Sequence, residues 1–266
     1  MPARLYDAHN HLQDDRLQPY LADLLEVLPS QGIRCAVVNG SSEEDWETVA
    51  VLARRHPWIL PSFGLHPWYA HERTPAWQER LLGYLHEFPR AGVGEIGLDR
   101  WIPNPDLEAQ TSAFLWQLDV ATQQNRPATL HCLRAWGMLG DLLSSHPVPE
   151  RGFLLHSFGG PVEMIPQFVK KGAYFSLSPY FCHARKTRQA ETFTHVPLDR
   201  LLAETDAPDM WPPDEANPHP LLDAGQKSIN HPANLEVSYQ KLAELRHIPL
   251  EALTEQLELN FHRLFG

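Results

Sequence analysis

Short apolar stretches rich in β-branched and aromatic residues recur along the chain, and longer stretches with helical periodicity separate them. There are eight such apolar stretches. They cover residues 4–8, 35–39, 59–64, 92–96, 128–131, 152–156, 173–178 and 201–206. A strand followed by a helix, repeated in this way, predicts βα units around a parallel sheet.

The segments between the strands carry signals for helices. Asn104-Pro105 offers a cap followed by proline at the first helical position, and Phe114, Leu118 and Ala121 then share one helical face. We expect a long outer helix here. Further helices are predicted after Thr74-Pro75, after Gly160-Pro161, around Leu235, Tyr239 and Leu242, and over residues 259–265.

Eight βα repeats that close on themselves predict a TIM-type (β/α)8 barrel of the α/β class, with residues 1–266 as a single domain. An open doubly wound sheet is the alternative, but the first strand is not followed by the glycine fingerprint of dinucleotide-binding sheets. In such a barrel, the active site lies where the strands end and the βα loops begin. The residues at the strand ends therefore become the candidates for function.

Composition narrows the class of protein. The 266 residues include 22 Lys plus Arg and 33 Asp plus Glu, for a formal charge of −11, and 43% are hydrophobic. These values exclude a disordered chain, a collagen-like repeat and a generally basic nucleic-acid coat. We found neither an apolar run of about 18 residues nor a signal-peptide pattern, and the three cysteines form no CxxC pair. We therefore expect a cytoplasmic monomer with reduced thiols and no membrane partner.

Histidines mark the first strand end. The chain has fifteen histidines, and His9 and His11 lie two residues apart after the first predicted strand. Alternation along a strand directs both imidazoles to one face, where they can bind one ion. A His-x-His pair alone is a weak signal, because it arises by chance in many chains.

The other strand ends strengthen this interpretation. Four of them carry a carboxylate or an imidazole, namely Glu95, His131, His156 and Asp206. Such groups are costly to bury in a barrel mouth unless they are paired or coordinated, so six of them are poorly explained as packing. They suffice for two adjacent divalent cations with one bridging carboxylate. Imidazole-rich coordination favours Zn²⁺, with Mg²⁺ or Mn²⁺ as alternatives.

Several motifs, taken in order, are similar to one known family over essentially the whole chain. They are Asp7-Ala-His-Asn-His-Leu, Gly64-Leu-His-Pro, Gly94-Glu-Ile-Gly-Leu-Asp, Gln110, His131, His156-Ser-Phe-Gly-Gly, Glu204-Thr-Asp-Ala-Pro, Asn230-His-Pro, and Asn260 with Leu264-Phe265. The sequence resembles the TatD family of metal-dependent hydrolases, within the amidohydrolase superfamily. Together the motifs are diagnostic, although none is so alone.

The resemblance implies roles for the strand-end residues. By this resemblance, a first metal ion would be held by His9, His11 and Asp206, and a second by His131 and His156, with Glu95 between the two ions. Asp206 would also accept the proton of the attacking water. The implied activity is that of a deoxyribonuclease that trims DNA ends.

The sequence indicates the substrate contacts less closely than it indicates the metal ligands. By resemblance, His66 contacts the substrate, and Glu204 can orient a ligand or instead bond to nearby backbone. Gly159 and Gly160 offer backbone N–H groups for an anionic oxygen, or serve only a turn. Aromatic residues that follow strand ends can stack on flat groups or simply cover the barrel mouth. The proline-rich loop 210–229 can form a lid or a wall.

The chain departs from the family where a phosphodiester would lie. Many relatives have an arginine where this chain has Leu133, and a basic residue where it has Ile229. Arg134 is adjacent and is a candidate substrate contact, but it points the same way only if the loop geometry changes. The lost positive charge favours a short single-stranded DNA end, or a small ester or amide, over intact duplex. A metal-binding scaffold without catalysis is the third hypothesis, and retention of all six candidate ligands argues against it.

Overall fold

Eight parallel strands pair in chain order in the computed structural model, which describes residues 4–266. The strands are β1 (Leu5–Asn10), β2 (Ile33–Asn39), β3 (Ile59–Phe63), β4 (Gly92–Asp99), β5 (Ala128–Leu133), β6 (Phe153–Leu155), β7 (Ala173–Leu177) and β8 (Leu201–Ala203). Each overlaps one of the eight predicted stretches. The predicted (β/α)8 barrel is therefore confirmed.

Nine α-helices accompany the strands in the described part of the chain. They are α1 (Leu21–Ser30), α2 (Trp46–Arg55), α3 (Trp77–Glu87), α4 (Leu107–Gln123), α5 (Trp136–Ser145), α6 (Ile165–Lys170), α7 (Thr187–Glu191), α8 (Leu235–Arg246) and α9 (Leu250–Phe265). A small antiparallel hairpin of β9 (Pro220–Leu222) and β10 (Ser228–Asn230) occupies the proline-rich loop. Among the described residues, no helix combines the length and apolar character needed to cross a bilayer.

Several predicted boundaries are wrong, including the end of β4, which was predicted at position 96 and lies at Asp99. The cap of α4 is Asp106, whose carboxylate accepts a hydrogen bond from Ala109 N at 2.9 Å, whereas Asn104 lies outside the helix with φ of 50°. The closing helix α9 is longer than predicted, because Leu253 and Leu257 extend its buried stripe. Strand β8 ends at Ala203, and the residues up to position 206 continue without strand pairing.

Hydrogen bonds between β1 and the segment after β8 join the two ends of the sheet. Asp206 N donates to His9 O at 2.9 Å, and His11 N donates to Ala207 O at 2.8 Å. Below them, the buried carboxylate of Asp7 accepts the backbone N–H of Thr205 at 3.0 Å and its hydroxyl at 2.6 Å. This seam brings residues that are far apart in the sequence to one side of the barrel mouth.

The C-terminal helix contributes to the barrel core. Phe261, Leu264 and Phe265 of α9 belong to a buried cluster that also contains side chains from six of the eight strands. Those strands include β3 and β7, on opposite sides of the sheet order, so the cluster lies in the barrel interior. The apolar interior supports the polar mouth above it.

Asn260 of α9 provides a test of this packing. Its buried amide donates to Leu198 O and Leu201 O, each at 2.8 Å, beside the start of β8. Because Asn260→Ala leaves two carbonyl groups without this donor, we expect the free energy of unfolding to fall by about 1–3 kcal/mol. Urea denaturation measures it. Glu255→Ala, an exposed change on the same helix, should stay within about 0.5 kcal/mol, and equal losses in both variants would contradict the explanation.

Candidate metal centre

Two imidazoles and a carboxylate meet at the seam. The Nε2 atoms of His9 and His11 are 3.1 Å apart. Oδ1 of Asp206 lies 3.3 Å from Nε2 of His9 and 3.6 Å from Nε2 of His11. His9 is fully buried and Asp206 is largely so. Three potential ligand atoms therefore surround one point.

Glu95 lies between this group and a second pair of imidazoles. Its Oε2 is 3.5 Å from Nε2 of His9 and 3.2 Å from Nε2 of His11. Its Oε1 is 3.0 Å from Nδ1 of His131 and 2.8 Å from Nε2 of His156. Those two nitrogens are 3.2 Å apart. Each oxygen of one carboxylate thus faces one pair of histidines.

The close approach of β4 and β5 depends on a glycine. Gly97 pairs with His131 in the sheet and has φ of +150°. A Cβ at this position would lie 2.0 Å from His131 O. A larger residue would force β5 outward and move His131 away from Glu95.

Hydrogen bonds on the outer nitrogens determine which nitrogens face inward. Nδ1 of His11 lies 2.8 Å from Asn39 O, and a carbonyl can only accept, so this nitrogen carries a proton and Nε2 presents its lone pair. Nε2 of His131 lies 3.1 Å from Oδ2 of Asp99, which leaves Nδ1 as the inward lone pair. Two nitrogen lone pairs that face each other repel, so these paired inward nitrogens are better suited to a cation between them than to direct contact. The donor set therefore suits a divalent metal ion.

The pKa shifts of these residues agree with a site for divalent metal ions. Burial lowers the pKa of His11, but the bond with Glu95 and the charges of Glu95 and Asp206 outweigh it and raise that pKa to about 9. His156 follows the same pattern, with its pKa raised well above the usual range. Burial raises the pKa of Asp206, yet its contacts with the imidazoles leave it below the ordinary value. The carboxylates thus demand positive charge here, from protons or from cations.

Glu204 lies behind His156 and is fully buried. Its carboxylate accepts hydrogen bonds from the hydroxyls of Ser157 and Ser176, and its Oε1 is 3.6 Å from Nδ1 of His156. It is therefore held by side chains as well as lying beside a candidate ligand. This arrangement allows it to orient His156.

The cluster opens into a cavity of about 750 Å³. His66 lies on its floor, with Nε2 3.4 Å from Oε1 of Glu95, and the indoles of Trp68 and Trp101 form part of the wall. The Arg134 guanidinium lies 5.3 Å from the centre of the Trp101 ring. Arg134 has φ of 55° and is not itself among the residues that line the cavity, so its role as a substrate contact stays a prediction.

The two candidate glycines lie elsewhere. Gly159 and Gly160 line a separate cavity of about 740 Å³, together with Trp136 and Arg188. A Cβ on Gly160 would lie 2.8 Å from the Phe158 and Trp136 rings, so this glycine serves close packing. The structure does not bring the pair together with the cluster, and the expectation that they bind substrate there gains no support.

Asp99 is a site residue that the sequence reasoning missed. Its buried carboxylate bonds to His131 and to the Trp68 indole. Part of the signal was available, because Asp99 follows Glu95 by four positions, but the predicted strand ended at position 96 and β4 continues to Asp99.

A family comparison covers almost the whole chain. A model of the family described as "TatD related DNase" matches residues 6–266. The chain is 28% identical over 271 residues to the metal-dependent hydrolase YjjV of Escherichia coli, covering 100% of this chain and 99% of that protein. It is 30% identical over 237 residues to the 3'-5' ssDNA/RNA exonuclease TatD of Erwinia tasmaniensis, covering 88% and 89% of the two chains.

Solved structures give the same result for the fold. The crystal structure of YjjV from Escherichia coli matches with a TM-score of 0.89 at 27% identity, covering 100% of this chain and 99% of that one. A TatD family hydrolase from Entamoeba histolytica matches with a TM-score of 0.84 at 16% identity, covering 100% and 99%. The second similarity concerns the fold alone.

Proposed function

The chain belongs to the TatD related DNase family of metal-dependent hydrolases, and from this premise we propose that it hydrolyses phosphodiester bonds at the 3′ ends of short single-stranded DNA. The observation that carries the proposal is the two-sided arrangement of Glu95, with one carboxylate oxygen toward each pair of histidines, on the floor of an open cavity. A carboxylate placed in this way could be shared by the two cations of a hydrolytic site. We also propose that residues 1–266 act as one domain and as a monomer.

Two cations would divide the donors between them. His9, His11 and Asp206 would hold one, and His131 and His156 the other, with Glu95 shared. Zn²⁺ is the proposed ion, since imidazoles dominate the donor set, with Mg²⁺ or Mn²⁺ as alternatives. Such ions would lower the pKa of the attacking water from about 15.7 to about 7 and would polarise the bond that breaks.

The protein's own groups supply orientation and proton transfer. Asp206 lies at the seam with a carboxylate oxygen toward His9, so it is suited to accept the proton of the attacking water. Glu204 orients His156 from behind. His66, 3.4 Å from Glu95, is suited to contact the phosphodiester as it reaches the floor of the cavity.

The cavity favours a short, single-stranded end. Its volume of about 750 Å³ falls in the range of small-ligand sites, and Trp68 and Trp101 offer faces on which bases can stack. Arg134, whose guanidinium lies 5.3 Å from the centre of the Trp101 ring, is the proposed source of positive charge beside that wall. A relative named as a 3'-5' ssDNA/RNA exonuclease supports the direction of attack.

A small ester or amide is the second candidate substrate, because the cavity wall is acidic. Carboxylates of Asp14, Asp15, Glu44, Asp45 and Asp209 line it. Among the described residues, Arg16 is the sole Lys or Arg of the lining, and its guanidinium is bonded to Asp14 and Asp209. Such a wall disfavours a long polyanion.

Elemental analysis and product analysis test the function together. We expect close to two divalent ions per chain and stepwise release of mononucleotides from a 3′-labelled single-stranded oligonucleotide. A chelator should abolish the activity, and Zn²⁺ or Mn²⁺ should restore it, because the chain's own groups cannot activate water alone.

Duplex DNA of the same sequence and a panel of small esters and amides serve as comparison substrates. Release of nucleotides under none of the metals, with turnover of an ester or amide, would transfer the assignment to the second candidate. Stable metal binding without turnover of any substrate would support the scaffold hypothesis instead.

A further inference from the structure

One buried carboxylate contacts both the candidate metal centre and the aromatic wall of the cavity. Asp99, at the end of β4, is fully buried. Its Oδ2 accepts a hydrogen bond from Nε1 of Trp68 at 2.7 Å and lies 3.1 Å from Nε2 of His131. Its Oδ1 accepts the backbone N–H of Trp101 at 2.6 Å. Both oxygens are thus occupied by groups that line the cavity.

The backbone of Asp99 is itself held in place. The buried side-chain amide of Gln110, on α4, accepts Asp99 N–H at 2.9 Å and donates to Asp99 O at 2.9 Å. This pair of bonds fixes the end of β4 against the outer helix. The carboxylate therefore has a defined position from which to orient its partners.

We propose that Asp99 is a positioning residue that supports both the affinity for cations and the affinity for substrate. It does so by fixing the proton of His131 on one side and the indole of Trp68 on the other. The inference rests on the proposed function, because it assumes cations beside Glu95.

The His131 contact acts on cation binding. With a carboxylate acceptor at Nε2, the imidazole proton stays on that nitrogen, and Nδ1 keeps its lone pair for a cation. Without the acceptor, the proton is free to move to Nδ1 and donate to Oε1 of Glu95, 3.0 Å away. That tautomer would remove one donor from the metal centre and occupy an oxygen of the bridging carboxylate.

The Trp68 contact acts on the substrate. Trp68 is 47% exposed, so its bond to Asp99 is a main restraint on its indole. The His66 ring packs edge-on against Trp68 at 5.1 Å between centroids and against His131 at 4.5 Å. Releasing the indole therefore disturbs both the stacking surface and the histidine on the cavity floor.

Two substitutions separate the contacts. Asp99→Asn removes the negative charge and replaces one carboxylate oxygen by an amide N–H2 group. In one orientation that group faces the Trp101 backbone N–H, and in the other it faces the N–H groups of Trp68 and His131. We expect cation affinity to fall about 10- to 100-fold, which is typical when the partner of a metal-ligating histidine is lost, and KM for the oligonucleotide to rise. Trp68→Phe keeps a ring but loses the N–H, so it should raise KM and leave cation affinity unchanged. Asp141→Asn, an exposed change on α5, is the matched control and should alter neither quantity.

Nuclear magnetic resonance of the wild-type protein gives a readout that does not depend on activity. In the cation-loaded wild-type protein, nitrogen-15 shifts of His131 should show the proton on Nε2. The Trp68 indole proton, identified by its loss in Trp68→Phe, should resonate downfield. A proton on Nδ1, or wild-type cation affinity and KM in a folded Asp99→Asn, would overturn the inference while leaving the proposed function intact. A wild-type protein that neither binds cations nor releases nucleotides would overturn both.

Discussion

Asp206→Asn is expected to lower kcat by about 10²- to 10⁴-fold, the range associated with loss of a positioned proton acceptor. Asparagine preserves the shape of the side chain, but its amide does not accept a proton near neutral pH. The seam should survive, because Asp206 joins β1 through its backbone N–H to His9 O rather than through its carboxylate. Single-turnover hydrolysis of a 3′-labelled oligonucleotide at saturating metal measures the chemical step, and urea denaturation checks the fold.

Asp199→Asn provides the matched control for this experiment. Asp199 is half exposed and lies just before β8, at the end of that strand remote from Asp206. The same chemical change there should leave kcat within about twofold, as expected for a surface substitution away from the site. If Asp206→Asn retained a wild-type kcat with both cations bound, the proton would have to leave by another group.

The sequence was sufficient to predict the barrel and the convergence of its strand ends. Parallel strands in a (β/α)8 barrel all end at one face, so a polar residue at each end must approach the others. His9 and Glu95 are 86 positions apart in the sequence and 3.5 Å apart at their side-chain atoms for this reason. Strand number and order therefore carry the long-range information, and local periodicity is enough to recognise them.

Loop conformations could not be predicted from strand geometry, even where the residue itself was predicted to belong to the site. Asp206 lies beyond the end of β8, in a left-handed conformation with φ of 53°, so strand alternation does not govern where it points. Arg134 likewise depends on a positive φ to approach Trp101. Gly160 has the composition of an anion-binding turn, but its surroundings are the rings of Trp136 and Phe158. In each case a tertiary contact decides the outcome.

Asp99 is a different case, since regular geometry could have revealed it. It shares a strand face with Glu95, and it pairs in the sheet with Leu133, two positions beyond His131. An even spacing from Glu95, with the strand continued beyond its predicted end at position 96, would have placed its carboxylate on the same face. Asp99 contacts a candidate ligand and lies outside the candidate ligand set, so ligand chemistry at the strand ends does not identify it.

Glu95→Gln should have the largest effect on metal content. The Glu95 carboxylate presents equivalent charged oxygens to the two pairs of histidines, whereas glutamine offers one neutral oxygen and one N–H2 group. Whichever pair faces the N–H2 group meets a donor where a cation needs a ligand, so we expect no more than one ion per chain to remain. Loss of the partner of a buried charge costs about 3–5 kcal/mol, which corresponds to about 10²- to 10⁴-fold weaker cation binding. Elemental analysis and calorimetric titration measure the stoichiometry and the affinity.

Glu44→Gln makes the same chemical change within the same cavity. Glu44 is exposed on the acidic wall and, unlike Glu95, does not belong to the clustered groups able to hold a metal among the described residues. Both substitutions remove one negative charge from the cavity, so a general electrostatic attraction of cations would make them weaken binding to a similar degree. If the ions instead need a carboxylate that faces both histidine pairs, Glu44→Gln keeps two ions and Glu95→Gln does not. Two tightly bound ions in Glu95→Gln would therefore remove the shared carboxylate from the explanation of this site.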